Sequence, residues 1–285
     1  LSSAASDVYK RQDNTINVLL DADFDYNKVR NYLPGLLGWT KYYGVFDGNN
    51  HTISNVRRSD TGYEVITPQN FGTIKNVHVK NISDKCYGGK HTRQGIVCGD
   101  NYGIVENCSV ESAVIETVAQ KENSIYGKVM EYGALVGGNF GTIRGCFASD
   151  ITFDGEGVTW PLAHEFPYST IENTYYEANV ESGDAAKTAE QFASGEVCSL
   201  LNKGVTDGSQ YWYQNIDNDA EKDAVPVPDT SHGTVYSGYQ GCIKAYSNTK
   251  LPDTLSHETV DYTVEDNVLT GVCKADPSHL SLIHI

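Results

Sequence analysis

Short apolar runs recur along this chain, each closed by the same polar punctuation. Three segments align without gaps: "EVITPQNFGTIKNV" (64–77), "GIVCGDNYGIVENC" (95–108) and "GALVGGNFGTIRGC" (133–146). Two partial copies flank them, "NNHTISNV" (49–56) and "YSTIENT" (168–174). The shared frame is an apolar run, Asn, an aromatic, Gly, Thr or Ile, an aliphatic, a variable residue, Asn or Gly, then Cys or Val. Runs this short, bounded by Gly and Asn, predict strands with tight corners rather than helices. The copies are unequally spaced while the motif stays constant. Constant strands with variable connections are how a β-solenoid behaves, each coil stacking on the one before it. The predicted fold is all-β, a right-handed parallel β-solenoid of about five to six coils.

Each column of the alignment has a physical reading. Coils of a parallel solenoid lie ~4.8 Å apart, so equivalent residues sit on one another. Ile53, Ile74, Val105, Ile143 and Ile171 form an inward aliphatic column. The next position holds Ser54, Lys75, Glu106, Arg144 and Glu172. From the second coil its sign alternates, which suits an outward row of exposed ion pairs worth ~0.2–1 kcal/mol each. After it come Asn55, Asn76, Asn107, Gly145 and Asn173. Exchange of Asn with Gly marks a left-handed backbone conformation, which these two tolerate best. Amides stacked there can also bond along the axis as a ladder. These asparagines turn corners and carry no chemistry.

The pattern changes at Lys187. "TAEQ" (188–191) reads as a capping box, Thr188 with Gln191, with Phe192, Val197, Leu200 and Leu201 as an apolar side and Gly204 as a stop. A helix after the last coil would cover an open strand edge. The predicted organisation is a solenoid over 13–186, a helix- and strand-bearing cap over 187–236, and the start of a further module over 237–279. Residues 1–12 and 280–285 are set apart. "DVYKRQ" (7–12) and "LSLIHI" (280–285) can be encoded as reverse complements of one DNA word. That word resembles a transposon sequencing adapter, so both ends read as appended sequence and the rest as an interior fragment.

Composition narrows the function classes. The formal net charge is −16, with 37 acidic against 21 basic residues. Such a chain is a poor partner for nucleic acid or anionic lipid, and no run is apolar enough to span a membrane. Lys90, His91 and Arg93 in "GGKHTRQ" form the one basic cluster, a candidate ligand-contact loop. Asp217, Asp219, Glu221 and Asp223 alternate as the start of a calcium loop would, but Lys222 replaces the needed glycine and Pro228 the closing glutamate. Calcium is the only cofactor candidate; a solvated turn is the plainer reading. Cys108 and Cys146 share a column where a disulfide and a buried thiol fit equally. Cys242, His257 and Cys273 could supply three metal ligands, although their spacing matches no zinc framework, and a Cys242–Cys273 disulfide is favoured over the metal. No catalytic motif is present, so no catalytic residue is assigned. For a polysaccharide-acting β-helix enzyme, Asp150, Asp154 and Glu165 are the best candidates, although nothing in the sequence pairs them.

"YYGVFDGNNHTISNV" (42–56) with "GALVGGNFGTIRGC" resembles the GLUG-motif repeat proteins of gut and oral bacteria. "FASGEVCSLLN", "WYQNI" and "DTSHGTVY" resemble the segment that follows such repeats in large surface proteins. The resemblance implies a secreted or cell-surface location and a non-catalytic stalk or adhesin-like scaffold, whose partner would be an extracellular protein or glycan. It also implies an alternative, an accessory region of a larger surface enzyme whose catalytic domain lies elsewhere. The family has no catalytic residues to carry over. The chain departs from the pattern in two long insertions, 117–132 and 155–168.

Overall fold

The computed structural model describes residues 14–28, 36–37, 41–58, 64–85, 93–117, 131–180, 182–203, 209–256, 260–273 and 280–284. They fall into two compact units: the first runs to Thr188, the second holds Ala189–Asn202 and continues from Gln210.

The first unit is a parallel β-solenoid. Its first sheet stacks six strands, Val18–Leu19, Val45–Asp47, Thr73–Lys75, Ile104–Glu106, Thr142–Arg144 and Thr170–Glu172, every pair parallel. Six strands on one side mean six stacked coils. From each of these strands the chain passes to a second sheet, whose longest members are His78–Lys85, Ser109–Thr117 and Phe147–Gly155. It returns through a third sheet of Lys41–Tyr42, Thr67–Asn70, Cys98–Asn101, Val136–Asn139 and His164–Glu165. Three coils add a short strand before the third sheet: Arg93–Gly95, Glu131–Gly133 and Val158–Trp160.

The core column is Phe46, Ile74, Val105, Ile143 and Ile171 in direct register. The middle three are fully buried. Ile53 does not belong there. It pairs with Phe24 and Val79 in the second sheet, so the first partial copy is displaced by one side of the coil. The charge row shifts with it, beginning at Asp47 rather than Ser54, which pairs with Lys80. Lys75 meets Asp47 at 3.3 Å, and Arg144 Nε donates to Glu106 at 2.8 Å.

Two corners, not one, use the left-handed conformation. Asn76, Asn107, Gly145 and Asn173 have φ of 56°, 52°, 63° and 43°. Asn55 lies at the other corner, with Asn81, Ser112 and Asp150, at φ of 53–58°. The inter-coil amide ladder occupies a third column, the Asn before the aromatic. Asn70 Nδ2 donates to Asn101 Oδ1 at 2.8 Å, and Asn101 Nδ2 to Asn139 Oδ1 at 2.9 Å. Each Oδ1 also accepts from the backbone N–H two residues on, at Gly72, Gly103 and Gly141. All three side chains are fully buried. At the first corner Asn76 instead donates to the Asp47 carboxylate, and at the other Asn55 to that of Asp25.

The stretch 155–168 is not an excursion. It supplies Val158–Trp160 and His164–Glu165, which continue the stacking begun by 131–133 and 138–139. Of the other expected insertion, 118–130 lies outside the described residues.

In the second unit, helices α1 (Ala189–Ala193) and α2 (Glu196–Lys203) are separated at Gly195, where φ is 87°. Phe192, Val197 and Leu201 are buried as the apolar pattern requires, while Leu200 is half-buried. Gly204 lies outside the described residues. Asn202 fastens α2 to the following segment: its Oδ1 accepts from the Tyr211 and Trp212 N–H groups and its Nδ2 donates to the Trp212 carbonyl. A hairpin of Tyr236–Gln240 and Ile243–Ser247 follows, then an antiparallel sheet of Val260–Glu265, Val268–Cys273 and Leu280–His284. The last of these strands comes from the set-apart 280–285. Any alternating apolar segment can pair with an open edge, so the pairing says nothing of its origin.

Two predictions arise. Asn101→Ala removes a buried amide with four hydrogen bonds and should destabilise the solenoid by roughly 2–4 kcal/mol, read as a lower urea midpoint. An unchanged midpoint would remove the ladder from the list of supports. His78 is buried against Ser109, 2.9 Å away, and burial holds its pKa down at about 3. The unfolded imidazole takes a proton first, so stability should fall as pH drops from 6.5 toward 3, by about 1.4 kcal/mol per pH unit. His78→Gln should flatten that slope in pH-dependent melting; an identical slope would assign it to other groups.

Candidate functional site

The richest side-chain cluster lies on the third sheet and the short strands before it. One residue past each third-sheet strand, the repeat aromatic leaves the core. Tyr43, Phe71, Tyr102, Phe140 and Phe166 stack in sequence with ring centroids 5.0, 4.5, 4.7 and 4.1 Å apart. Tyr43 and Tyr102 are 49% and 39% exposed, so the stack forms a rail open to solvent along its edge. Each inner ring lends both faces to its neighbours. What remains outward is the ring edge, which carries the positive end of the aromatic quadrupole.

Arg93 crosses this rail. Its Nε donates to Asp100 Oδ1 at 2.7 Å and its Nη2 to Oδ2 at 3.1 Å. The guanidinium carbon lies 5.3 Å from the Phe140 centroid and 5.2 Å from that of Phe166. Gly138 makes this possible: a Cβ there would come within 2.7 Å of Arg93 Cδ. The bonded Asp100 carboxylate lifts the guanidinium pKa above its ordinary value. Lys41 Nζ lies 5.2 Å from the Phe71 centroid, a second cation beside the rail.

Beside Arg93 in register is Glu131, whose Oε2 lies 2.7 Å from His164 Nδ1. His164 stacks on Trp160 at 4.5 Å and tilts against Phe166 at 4.3 Å. The Trp160 Nε1–H is buried with no hydrogen-bond partner among the described residues. The cluster therefore joins an ion pair, a carboxylate–imidazole contact, a run of rings and one unused donor. Asp100 is held by the Arg93 guanidinium, and Glu131 lies within hydrogen-bond distance of the His164 ring.

Of the candidate ligand-contact loop, the structure places Arg93 in this cluster, while Lys90 and His91 lie outside the described residues. Glu131, Trp160 and His164 were not singled out from sequence, because no repeated motif marks the short strands. The aromatic column was visible as part of the frame, but its stacking depends on register.

The acidic run 217–223 is not gathered around a point. Asp217 accepts from Ser247 Oγ and the Asn248 N–H, and Asp223 from the Asn215 N–H while lying 2.6 Å from His232. Glu221 takes a bond from Asn218, and Asp219 is exposed. Among the described residues no group of three or more His, Cys, Asp or Glu could hold a metal ion. Asp150 and Asp154 lie on the second sheet and Glu165 on the third, on different sides of the coil. Cys108 and Cys146 are thiols that each donate to the carbonyl two residues back, Glu106 and Arg144, at 3.2 Å. Burial pushes the Cys108 thiol pKa well above its usual value.

No protein-family model matches the chain, and no curated protein matches it. Among solved structures it is similar to the crystal structure of a putative immunoglobulin A1 protease from Bacteroides ovatus. The two are 15% identical with a TM-score of 0.41, over 75% of this chain and 86% of that one. A likeness this loose carries no argument about function. Among the described residues no helix is long and apolar enough to cross a membrane.

Arg93→Ala should lower stability by roughly 1–3 kcal/mol, because it leaves Asp100 without its charged donors. Arg93→Lys should recover only part of this, since an ammonium cannot make the paired bonds. Chemical denaturation of both variants checks it; full recovery by lysine would show that charge alone matters.

Proposed function

We propose that this chain is a non-catalytic repeat region of a secreted or cell-surface bacterial protein, related to the GLUG-motif repeats. It acts as a stiff spacer that presents the third-sheet side to an extracellular protein or glycan. One observation carries the reading: the polar columns of the repeat bond to one another along the axis. Asn70, Asn101 and Asn139 form the buried ladder, and Asp47 with Lys75 and Glu106 with Arg144 form the outer row. Residues so engaged hold coils together, and that structural role accounts for their recurrence without calling on a reaction. The rail and its cations are the part of the repeat that faces outward with mixed polar and apolar character, as binding surfaces do.

The test is the purified full chain against immobilised mucin glycans, extracellular-matrix proteins and duplex DNA, with release of reducing ends and peptides followed in parallel. Saturable binding to a glycan or protein arm, weakened by Tyr102→Ala and unaccompanied by products, is the expected result. DNA should not be retained, given the net charge of −16. Catalytic product from any arm would overturn the non-catalytic reading. Absence of binding in every arm would reduce the proposal to the spacer alone.

A further inference from the structure

We propose that Cys242 and Cys273 become a disulfide that locks the second unit. The two Sγ atoms stand 2.9 Å apart across 31 residues of sequence, and both side chains are buried, 3% and 4% exposed. Cys242 follows the left-handed Gly241, at φ 64°, in the tight turn between the hairpin strands. Cys273 ends the central strand of the three-stranded sheet. Among the described residues these two sheets share no ladder of backbone bonds. A covalent link between them would do for the second unit what stacked register does for the solenoid.

The thiols of Cys108 and Cys146 donate to backbone carbonyls, and Cys198 accepts from the Asn202 amide at 3.8 Å. The short Cys242–Cys273 separation argues against a metal. Two thiolates ~2.3 Å from one tetrahedral ion lie roughly 3.7 Å from each other, clearly farther than the distance here. Unbonded sulfurs in van der Waals contact also stand farther apart than this, so the pair is already within a short step of a bond.

The step balances as thiol–disulfide exchange. A disulfide oxidant, either an oxidised dithiol protein or oxidised glutathione, takes both electrons and both protons and leaves as two thiols, while the Cys242 Sγ–Cys273 Sγ bond forms. Burial of both sulfurs places the exchange before the unit finishes packing. Disulfides persist in oxidising compartments, so the bond fits a secreted protein. The inference does not rest on the binding surface and survives if that surface binds nothing.

The experiment refolds the full chain with and without oxidised glutathione, denatures it, alkylates it and maps the peptides. Of seven cysteines, five should react after oxidation and all seven after reduction, with one cross-link joining the Cys242 and Cys273 peptides. Cys242→Ser should leave every remaining thiol reactive. Reductant should lower the melting temperature of the oxidised protein by about 5 °C or more and leave Cys242→Ser unmoved. Seven reactive thiols after oxidation, a cross-link to another cysteine, or protection that a chelator abolishes would each overturn the proposal. The cross-link map needs no variant to fold.

Discussion

In-register parallel stacking governs the solenoid. Each residue of a coil sits on its counterpart one strand spacing away, so a column must be compatible with copies of itself. Aliphatics satisfy this by packing, as Ile74, Val105 and Ile143 do. Asparagine satisfies it because one amide both donates and accepts, so Asn70, Asn101 and Asn139 can be fully buried without an unpaired group. Aromatic rings satisfy it by face-to-face offset stacking, as along the rail from Tyr43 to Phe166. Charges cannot repeat, and the outer row alternates accordingly.

Much of this was legible in the chain. The inward column from Ile74 to Ile171 and the left-handed corner at Asn76, Asn107, Gly145 and Asn173 could be read from the frame alone. Ile53 and Asn55 were misplaced for a definite reason. "HTISNV" and "GTIKNV" share Thr, Ile, Asn and Val at matching positions, and both place a left-handed Asn before the closing Val, but they turn different corners of the coil. Two corners with the same local chemistry have the same local sequence. Only pairing across coils, Thr52–Ser54 with His78–Lys80, tells them apart.

The candidate site was harder to see because it depends on side chains from separate coils. Arg93 attracted notice as part of a basic cluster, yet its role comes from Asp100, Gly138 and the rings of the next coils. Gly138 looked like one glycine among many. It is small because the Arg93 side chain lies where its Cβ would be. The short strands carrying Glu131 and Trp160 have no motif in common, and without a repeat the segment 155–168 looked like an insertion rather than a wall.

The alternation of the outer row gives the solenoid a parity. Down the stack Asp47, Lys75, Glu106, Arg144 and Glu172 follow one another in register. Duplicating or deleting one coil would set two like charges side by side at the junction, whereas a change of two coils would restore the order. On this row, adding or removing two coils keeps unlike charges adjacent at every step, so the pair of coils is the smallest electrostatic repeat of the stack.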